Sequence, residues 1–460
     1  MDDLKFLQER VATLLDLEAT AELRELINNL NISDVAELIS EDDDQALFFF
    51  QQLEFHRAVA VFRVLDLQTQ EKLISTLPAN LLYSILNDLP PDDRTSLLSE
   101  LNSNVVKDLI RQLNPEERKI TLSLLGYPED SVGRLMTPDY IAVEPDWTVE
   151  QVLTYIRDYG KNSETIDVLY VTDENGRLID DLRIRDVLLV DPKVTKVADI
   201  IDGRFISLHV NDNRNEVGNV FQMNNRVALP VVDDTNVLLG IVTIDDVLWV
   251  VEEEYTEDIQ RIGGTEALDE PYLDVSLAGL YKKRIIWLLV LFMGELLTIS
   301  AMSGFEEQIA KVVILATFIP LIISSGGNSG SQAATLIIQA MALGEVTIED
   351  WWRVMKRELV SGLLLGATLC FVSFSVISIW HFFTPAFGEH YFLIAAVVGI
   401  SLIGVVLWGS LMGSMLPLLL KRLGADPAAS STPFVATLVD VTGLIIYFSV
   451  AMFLLNGILL

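Results

Sequence analysis

Ala436-Thr437-Leu438-Val439-Asp440-Val441-Thr442-Gly443 is the stretch whose reading decides this chain. It lies inside an apolar run from Phe434 to Leu460, long enough to cross a bilayer as a helix. A carboxylate at the depth of Asp440 costs roughly 2.5–3.5 kcal/mol on insertion scales, so it normally faces a partner or a watery path. The other apolar runs hold no lysine or arginine to pair with it. Asp440 is therefore read as lining a cation pathway. A protonated or hydrogen-bonded aspartate serving helix packing is the competing reading.

Outward from this stretch lie four more apolar runs: Ile285–Met302, an unusually long Val312–Ala342, Leu359–Ile379 and Tyr391–Leu420. Five membrane spans are expected. Lys282, Lys283 and Arg284, then Arg353, Lys356 and Arg357, then Lys421 and Arg422 fall on one side, and the intervening loops hold only Lys311. That bias puts the basic side in the cytoplasm. Met1-Asp2-Asp3 is acidic and lacks an apolar core, so it does not open a signal peptide. The expectation is a multi-pass protein of the cell (inner) membrane, N-terminus cytoplasmic and C-terminus outside.

The second run contains Pro320 and then Ser324-Ser325-Gly326-Gly327-Asn328-Ser329-Gly330. Two readings stay open for it. A broken helix would offer carbonyls to ions, whereas a glycine-lined surface would let helices approach. Gly399, Gly404, Gly409 and Gly413 in the fourth run fit the packing reading. Glu295 is a second acid within the spans and ranks below Asp440.

Composition divides the chain in two. Its 460 residues carry 65 acids and 32 bases. From Ile285 onward there are 10 acids and 6 bases, net −4, leaving 55 and 26, net −29, for everything before it. An acidic front part repels nucleic acid and suits cations. A single cysteine, Cys370, excludes an internal disulfide framework, and the four scattered histidines lack metal-ligand spacing.

Leucines up to about Tyr127 recur at helical spacing, and a 24-residue repeat aligns Leu65, Leu89 and Leu113. Each precedes a polar helix start, with Pro91 and Pro115 before two of them. An all-α superhelical array is expected over 1–127. The acids Glu41, Asp42, Asp43, Asp44, Asp92 and Asp93 crowd helix beginnings. They either complement the helix dipole or bind divalent cations toward the next domain; the first reading is favoured on this stretch alone.

Two similar units follow one another in 128–251. Leu169–Asp173, Gly176 and Leu182–Val187 match Leu229–Asp234 and Gly240–Val247. Each reads as strand, tight turn, strand, helix start. The pattern resembles a tandem pair of CBS domains, an α/β module whose members sense adenine nucleotides or metals. The second copy keeps the Gly-x-x-Thr-x-x-Asp signature as Gly240, Thr243 and Asp246; the first has Asp180 and Arg183 in place of the glycine and threonine and keeps Asp186. The resemblance makes Arg185, Asp186, Thr243 and Asp246 candidate contacts for ATP or another adenine nucleotide. Helix N-capping is the competing role for Asp186 and Asp246. The 252–284 connector opens with Glu252-Glu253-Glu254-Tyr255-Thr256-Glu257-Asp258. Its like charges repel at helical spacing, and divalent cations would relieve them.

The whole arrangement resembles the MgtE family of magnesium channels, through Pro320, Gly326-Gly327-Asn328-Ser329-Gly330 and Gln332, and through Asp426-Pro427-Ala428 followed by Pro433–Thr437 and Asp440. The resemblance implies a homodimer with a pore on its two-fold axis through an all-α domain of five transmembrane helices, 285–460. It implies that Asp440 and the Ala436 carbonyl select hydrated Mg²⁺, with Asn328 and Thr432 also along the path. Thr432 stands where some members have asparagine. It further implies that Mg²⁺ bound at Asp92, Asp246, Glu254, Glu257 and Asp258 shuts the pore through the long connecting helix. Two rivals remain from the residues alone: a divalent-cation carrier coupled to H⁺ or Na⁺, and a nucleotide-sensing membrane protein without transport. No nucleophile–base set or walled metal site marks an enzyme.

Overall fold

The computed structural model describes residues 10–11, 13–15, 17, 19–41, 45–268, 272–273, 275–383, 390–456 and 458. Asp42, Asp43 and Asp44, and the last residues of the expected fifth span, lie outside them. The chain forms two compact units, residues 1–252 and 253–460, taken here in turn.

The first unit opens with short helices, from Thr20–Asn29 to Pro115–Leu124. Leu53, Leu65, Leu77, Leu89, Leu101 and Leu113 each follow a helix as one extended residue, with ψ between 139° and 154°. All six are buried. The expected 24-residue repeat is thus built of twelve-residue halves. Extended backbone turns the leucine inward, and the residue after it, also extended, is the N-cap of the next helix.

The longer period survives in the capping. Gln70 Nε2 donates to the Phe62 carbonyl at 2.7 Å. Arg94 Nη1 donates to Leu86 and Leu89 at 3.1 and 3.2 Å, and Arg118 Nε to Ile110 at 2.9 Å. These residues stand 24 apart and satisfy the open carbonyls at the end of the preceding helix. Arg94 is fully buried; Thr121 Oγ1 accepts from its Nε at 2.9 Å, and Glu117 pairs with it.

The CBS pair holds two three-stranded sheets. β1 (Ala142–Val143), β2 (Val168–Thr172) and β3 (Leu178–Arg183) form one; β4 (Leu208–His209), β5 (Ala228–Val232) and β6 (Leu238–Thr243) form the other. In each, the first pair is parallel and the second antiparallel. Val168 pairs with Arg183 just as Ala228 pairs with Thr243, so the two hairpins share one register. The hairpin turns correspond too, with left-handed backbone at Gly176 (φ 77°) and Asn236 (φ 64°), conformations that glycine and asparagine tolerate. Asp180 has a structural reason to replace the signature glycine: its buried Oδ2 accepts from the Asp202 and Gly203 amides at 2.9 and 2.8 Å. Asp186 and Asp246 are not N-caps, which corrects that reading. They sit in the first turns of helices Ile184–Leu188 and Ile244–Ile262.

The Ile244–Ile262 helix carries the acidic run. It begins before the expected connector and stops at Gly263-Gly264, where Gly264 takes φ 76°. The first apolar helix is capped by Ser276 Oγ, which accepts from the Gly279 amide at 3.1 Å.

In the second unit five helices are long and apolar enough to cross a membrane: Leu277–Gly304, Val313–Ala342, Ile348–Phe383, Tyr391–Arg422 and Thr432–Leu455, among the described residues. The second corrects the broken-helix reading. Ile319–Ala342 is one continuous α-helix through Gly326–Gly330, and the irregularity falls earlier, in a 3₁₀ stretch at Val313–Phe318. The buried Tyr447 hydroxyl donates to the Leu315 carbonyl there at 2.9 Å. The glycines serve contact. A Cβ on Gly409 would lie 2.4 Å from the Gly326 carbonyl oxygen, and one on Gly413 would lie 2.1 Å from that of Gly330. Ser329 Oγ and Ser410 Oγ share a 2.8 Å hydrogen bond across this seam.

Candidate cation sites

Thr432–Leu455 is continuous and starts from Ser431, whose Oγ accepts from the Phe434 amide. In such a helix the Ala436 carbonyl accepts from the Asp440 amide, leaving one lone pair free. The structure brings Asp440 and Ala436 together against Gly327: a Cβ there would lie 3.5 Å from Ala436 Cβ and 3.6 Å from Asp440 Oδ1. Asp440 is half-buried. Asn328 is exposed and donates to Ser324 Oγ at 3.3 Å, one residue round the helix from the glycine facing Asp440. Thr432 is two turns below Asp440, and its hydroxyl donates to the Ile262 carbonyl at 3.1 Å.

That bond belongs to a junction between the end of the acidic helix and the start of the last span. Arg261 bridges Glu257 and Asp426, with both contacts 2.8 Å. Trp287 Nε1 donates to Ser431 Oγ at 3.0 Å. Burial raises the Asp258 carboxyl above its ordinary range, and the nearby Asp426 charge adds to this. Glu254, Glu257 and Asp258 are all partly buried. Sequence reasoning left Asp426 and Arg261 out of the candidate set. The Asp-Pro-Ala turn was visible, but its Oδ1 bond to the Ala428 amide at 2.8 Å is a turn signal and says nothing of a partner as distant in sequence as Arg261.

A second acidic group lies in the first unit. Asp92, in the first turn of the Pro91–Glu100 helix, is 5% exposed, yet neither carboxylate oxygen has a hydrogen-bond partner. Burial raises its carboxyl well above the ordinary range, followed by the charges of Asp246, Asp93 and Glu164. Asp246 is pushed up to about 7, by burial first and by Asp245, Asp93 and Glu164, against the bond it accepts from Thr243 Oγ1 at 2.6 Å. Asp139 rises to about 6 through burial, then Glu117 and Glu164. Arg63 is a nearby cation, 2.5 Å from Asp93 and 3.4 Å from Glu164, and the Arg94 charge acts against the rise at Asp139. Asp92 and Asp246 are thus brought together from helices far apart in sequence. Glu164 and Asp139 were missed, since nothing local marks them, whereas Asp93 was visible as one of the acids at a helix beginning.

Among the described residues no group of three or more histidines, cysteines or carboxylates is spaced to hold a metal ion directly. The cluster nevertheless fits a cation by its chemistry: a buried carboxyl with two orphaned oxygens is satisfied either by holding a proton or, once ionised, by a positive partner. A hydrated Mg²⁺ would fit, because it keeps several waters and needs few direct ligands. Of the nucleotide candidates, Thr243 and Asp246 bond each other. Arg185 and Asp186, in the first copy, are both solvent-accessible.

Comparison with known proteins follows the same division. Residues 319–450 match the MgtE divalent cation transporter family, residues 30–130 the MgtE intracellular N domain, and residues 132–193 and 197–253 the CBS domain. The magnesium transporter MgtE of Thermus thermophilus is 42% identical over 336 residues, 73% of this chain and 72% of that protein. The magnesium transporter MgtE of Enterococcus faecalis is 30% identical over 328 residues, 71% of this chain and 70% of its own length. A crystal structure of the cytosolic domain of the Mg²⁺ channel MgtE in complex with ATP is 33% identical with a TM-score of 0.50, covering 52% of this chain and 98% of that one. The soluble part of a magnesium transporter, 24% identical with a TM-score of 0.51, covers 55% of this chain and 99% of its own, and shares the fold. With the N domain, the CBS pair and the membrane helices all matched in order, the chain belongs to the MgtE family of magnesium transporters.

Proposed function

We propose that two copies of this chain form a channel for Mg²⁺, with Asp440 of each copy at the selective point of the path. The observation that carries this reading is a half-buried carboxylate inside a continuous apolar helix, against Gly327, with no lysine or arginine in the apolar lengths of the spans. One carboxylate is a single charge, and a two-fold axis doubles it. Mg²⁺ gives up its waters reluctantly, so such a site holds the hydrated ion through carboxylates and the free lone pairs of carbonyls such as Ala436. Asn328 and Thr432 flank the same path.

Closure follows from the acids outside the spans. Asp92 and Asp246 in the first unit, and Glu254, Glu257 and Asp258 on the acidic helix, repel until Mg²⁺ bridges them. High cytosolic Mg²⁺ then draws the acidic surfaces together and shuts the path. The CBS pair takes an adenine nucleotide as a second regulator, with Arg185, Asp186, Thr243 and Asp246 as its contacts; the relative crystallised with ATP supports this.

Mg²⁺ flux into proteoliposomes tests the reading. Asp440→Ala should abolish flux while the protein still assembles, and flux near the wild-type rate rejects the pore. Flux that depends on a H⁺ or Na⁺ gradient would favour the coupled carrier. Neutralising Glu254, Glu257 and Asp258 together should weaken closure by millimolar Mg²⁺.

A further inference from the structure

Glu295 lies within the first span, a helix whose one buried residue is Thr298. The span meets the last one closely: a Cβ on Gly294 would lie 2.6 Å from Thr437 Cγ2. This approach sets the next residue, Glu295, within hydrogen-bonding reach of the Asp440 carboxyl. Two carboxylates that close repel unless a shared proton or a cation lies between them, and the apolar lengths of the spans contain no lysine or arginine to supply the charge.

Thr298 adds a separate observation. Ser300 and Ser303 return their hydroxyls to the carbonyls of Leu296 and Ile299, at 3.0 and 3.1 Å. Thr298 is 7% exposed, and its hydroxyl has no partner. Standing one helical turn beyond Gly294 and Glu295, it shares their helix face. A buried hydroxyl left unpaired there is suited to a water molecule of an ion's hydration shell.

We propose that Glu295 is a second acidic residue of the Asp440 cation site, holding a hydrated divalent ion between the first and last spans with the Thr298 hydroxyl on its water shell. The first span thereby contributes to selection, and each chain supplies two carboxylates. This rests on the reading of Asp440 as part of the ion path.

The experiment is Mg²⁺ flux through purified full-length protein in proteoliposomes, comparing wild type with Asp440→Asn, Glu295→Gln and Glu295→Asp, each checked for assembly by size-exclusion chromatography. Glu295→Gln should raise the half-saturating Mg²⁺ concentration about tenfold and admit more Na⁺ against Mg²⁺, with Glu295→Asp intermediate. Wild-type half-saturation and selectivity in Glu295→Gln, alongside a silent Asp440→Asn, overturns the Glu295 assignment and leaves Asp440 standing. Wild-type flux in Asp440→Asn overturns both. If Glu295→Gln does not assemble, Glu295→Asp decides, and an unchanged half-saturation refutes the proposal.

Discussion

Replacing Gly413 by alanine is a stringent test of how the membrane unit is held together. The new Cβ would stand 2.1 Å from the Gly330 carbonyl oxygen, 2.9 Å from its carbon and 3.1 Å from the Ala334 nitrogen. Close carbon–oxygen contacts run at about 3.3 Å, so the backbones are about 1 Å too near. All three obstructing atoms are backbone, so no side chain can swing aside, and the second and fourth spans must separate. Overpacking of this kind costs about 1–3 kcal/mol, and separation also stretches the Ser329–Ser410 bond of 2.8 Å, worth about 1 kcal/mol. The expected loss is about 2–4 kcal/mol, measured as a lower midpoint of unfolding by sodium dodecyl sulfate in mild detergent micelles. Gly304→Ala is the control, since a Cβ there meets nothing within 4 Å. Equal midpoints for the two variants would refute the close-packed seam. Because Gly327 lies on the same helix as Gly330, Gly413→Ala should also reduce Mg²⁺ flux, and Gly304→Ala should not.

Further outcomes are expected in the first unit. Arg94→Met removes the donors to the Leu86 and Leu89 carbonyls and the partner of Glu117. It should cost about 3 kcal/mol in denaturant unfolding, and a loss below about 1 kcal/mol would show that the buried guanidinium is dispensable. Asp246, raised from 3.8 to about 7, holds a proton in the folded chain that it releases on unfolding within that window. Metal-free stability should therefore fall as pH rises through the window and level off above it. Mg²⁺ binds the ionised form, so its stabilising effect in thermal unfolding should be larger at a pH of about 8 than at about 5. An equal Mg²⁺ effect at both would detach Asp246 from cation binding. Asp92→Asn should shrink the Mg²⁺ effect at the higher pH, and an unchanged effect would leave the orphaned carboxylate without a ligand.

Much of the architecture was readable because it depends on local pattern. Apolar length alone set the five spans, to within a turn or so at most ends. The match of Leu169–Val187 with Leu229–Val247 predicted paired strands, since alternation and turn residues act over a few positions. The helical array showed its leucines, although the twelve-residue half-period became plain only when each leucine was seen as the extended residue that ends one helix, followed by the extended N-cap of the next. Gly326–Gly330 misled in one of its two readings. Glycine weakens a helix in isolation, but a neighbouring glycine-lined helix, Tyr391–Arg422, holds this stretch straight. No window around Gly326 contains that neighbour.

What the sequence by itself determined is the set of elements, their order and their charge, including the acid inside the last span and the family to which the chain belongs. Tertiary structure decided which charged groups meet. Asp92 with Asp246, Arg261 with Asp426, and Glu295 with Asp440 are each joined across long stretches of intervening chain. The reason is physical: hydrophobic periodicity and turn chemistry act over one or two helical turns, whereas the electrostatics of a buried carboxylate depends on whatever the folded chain brings within a few ångströms, at any sequence distance.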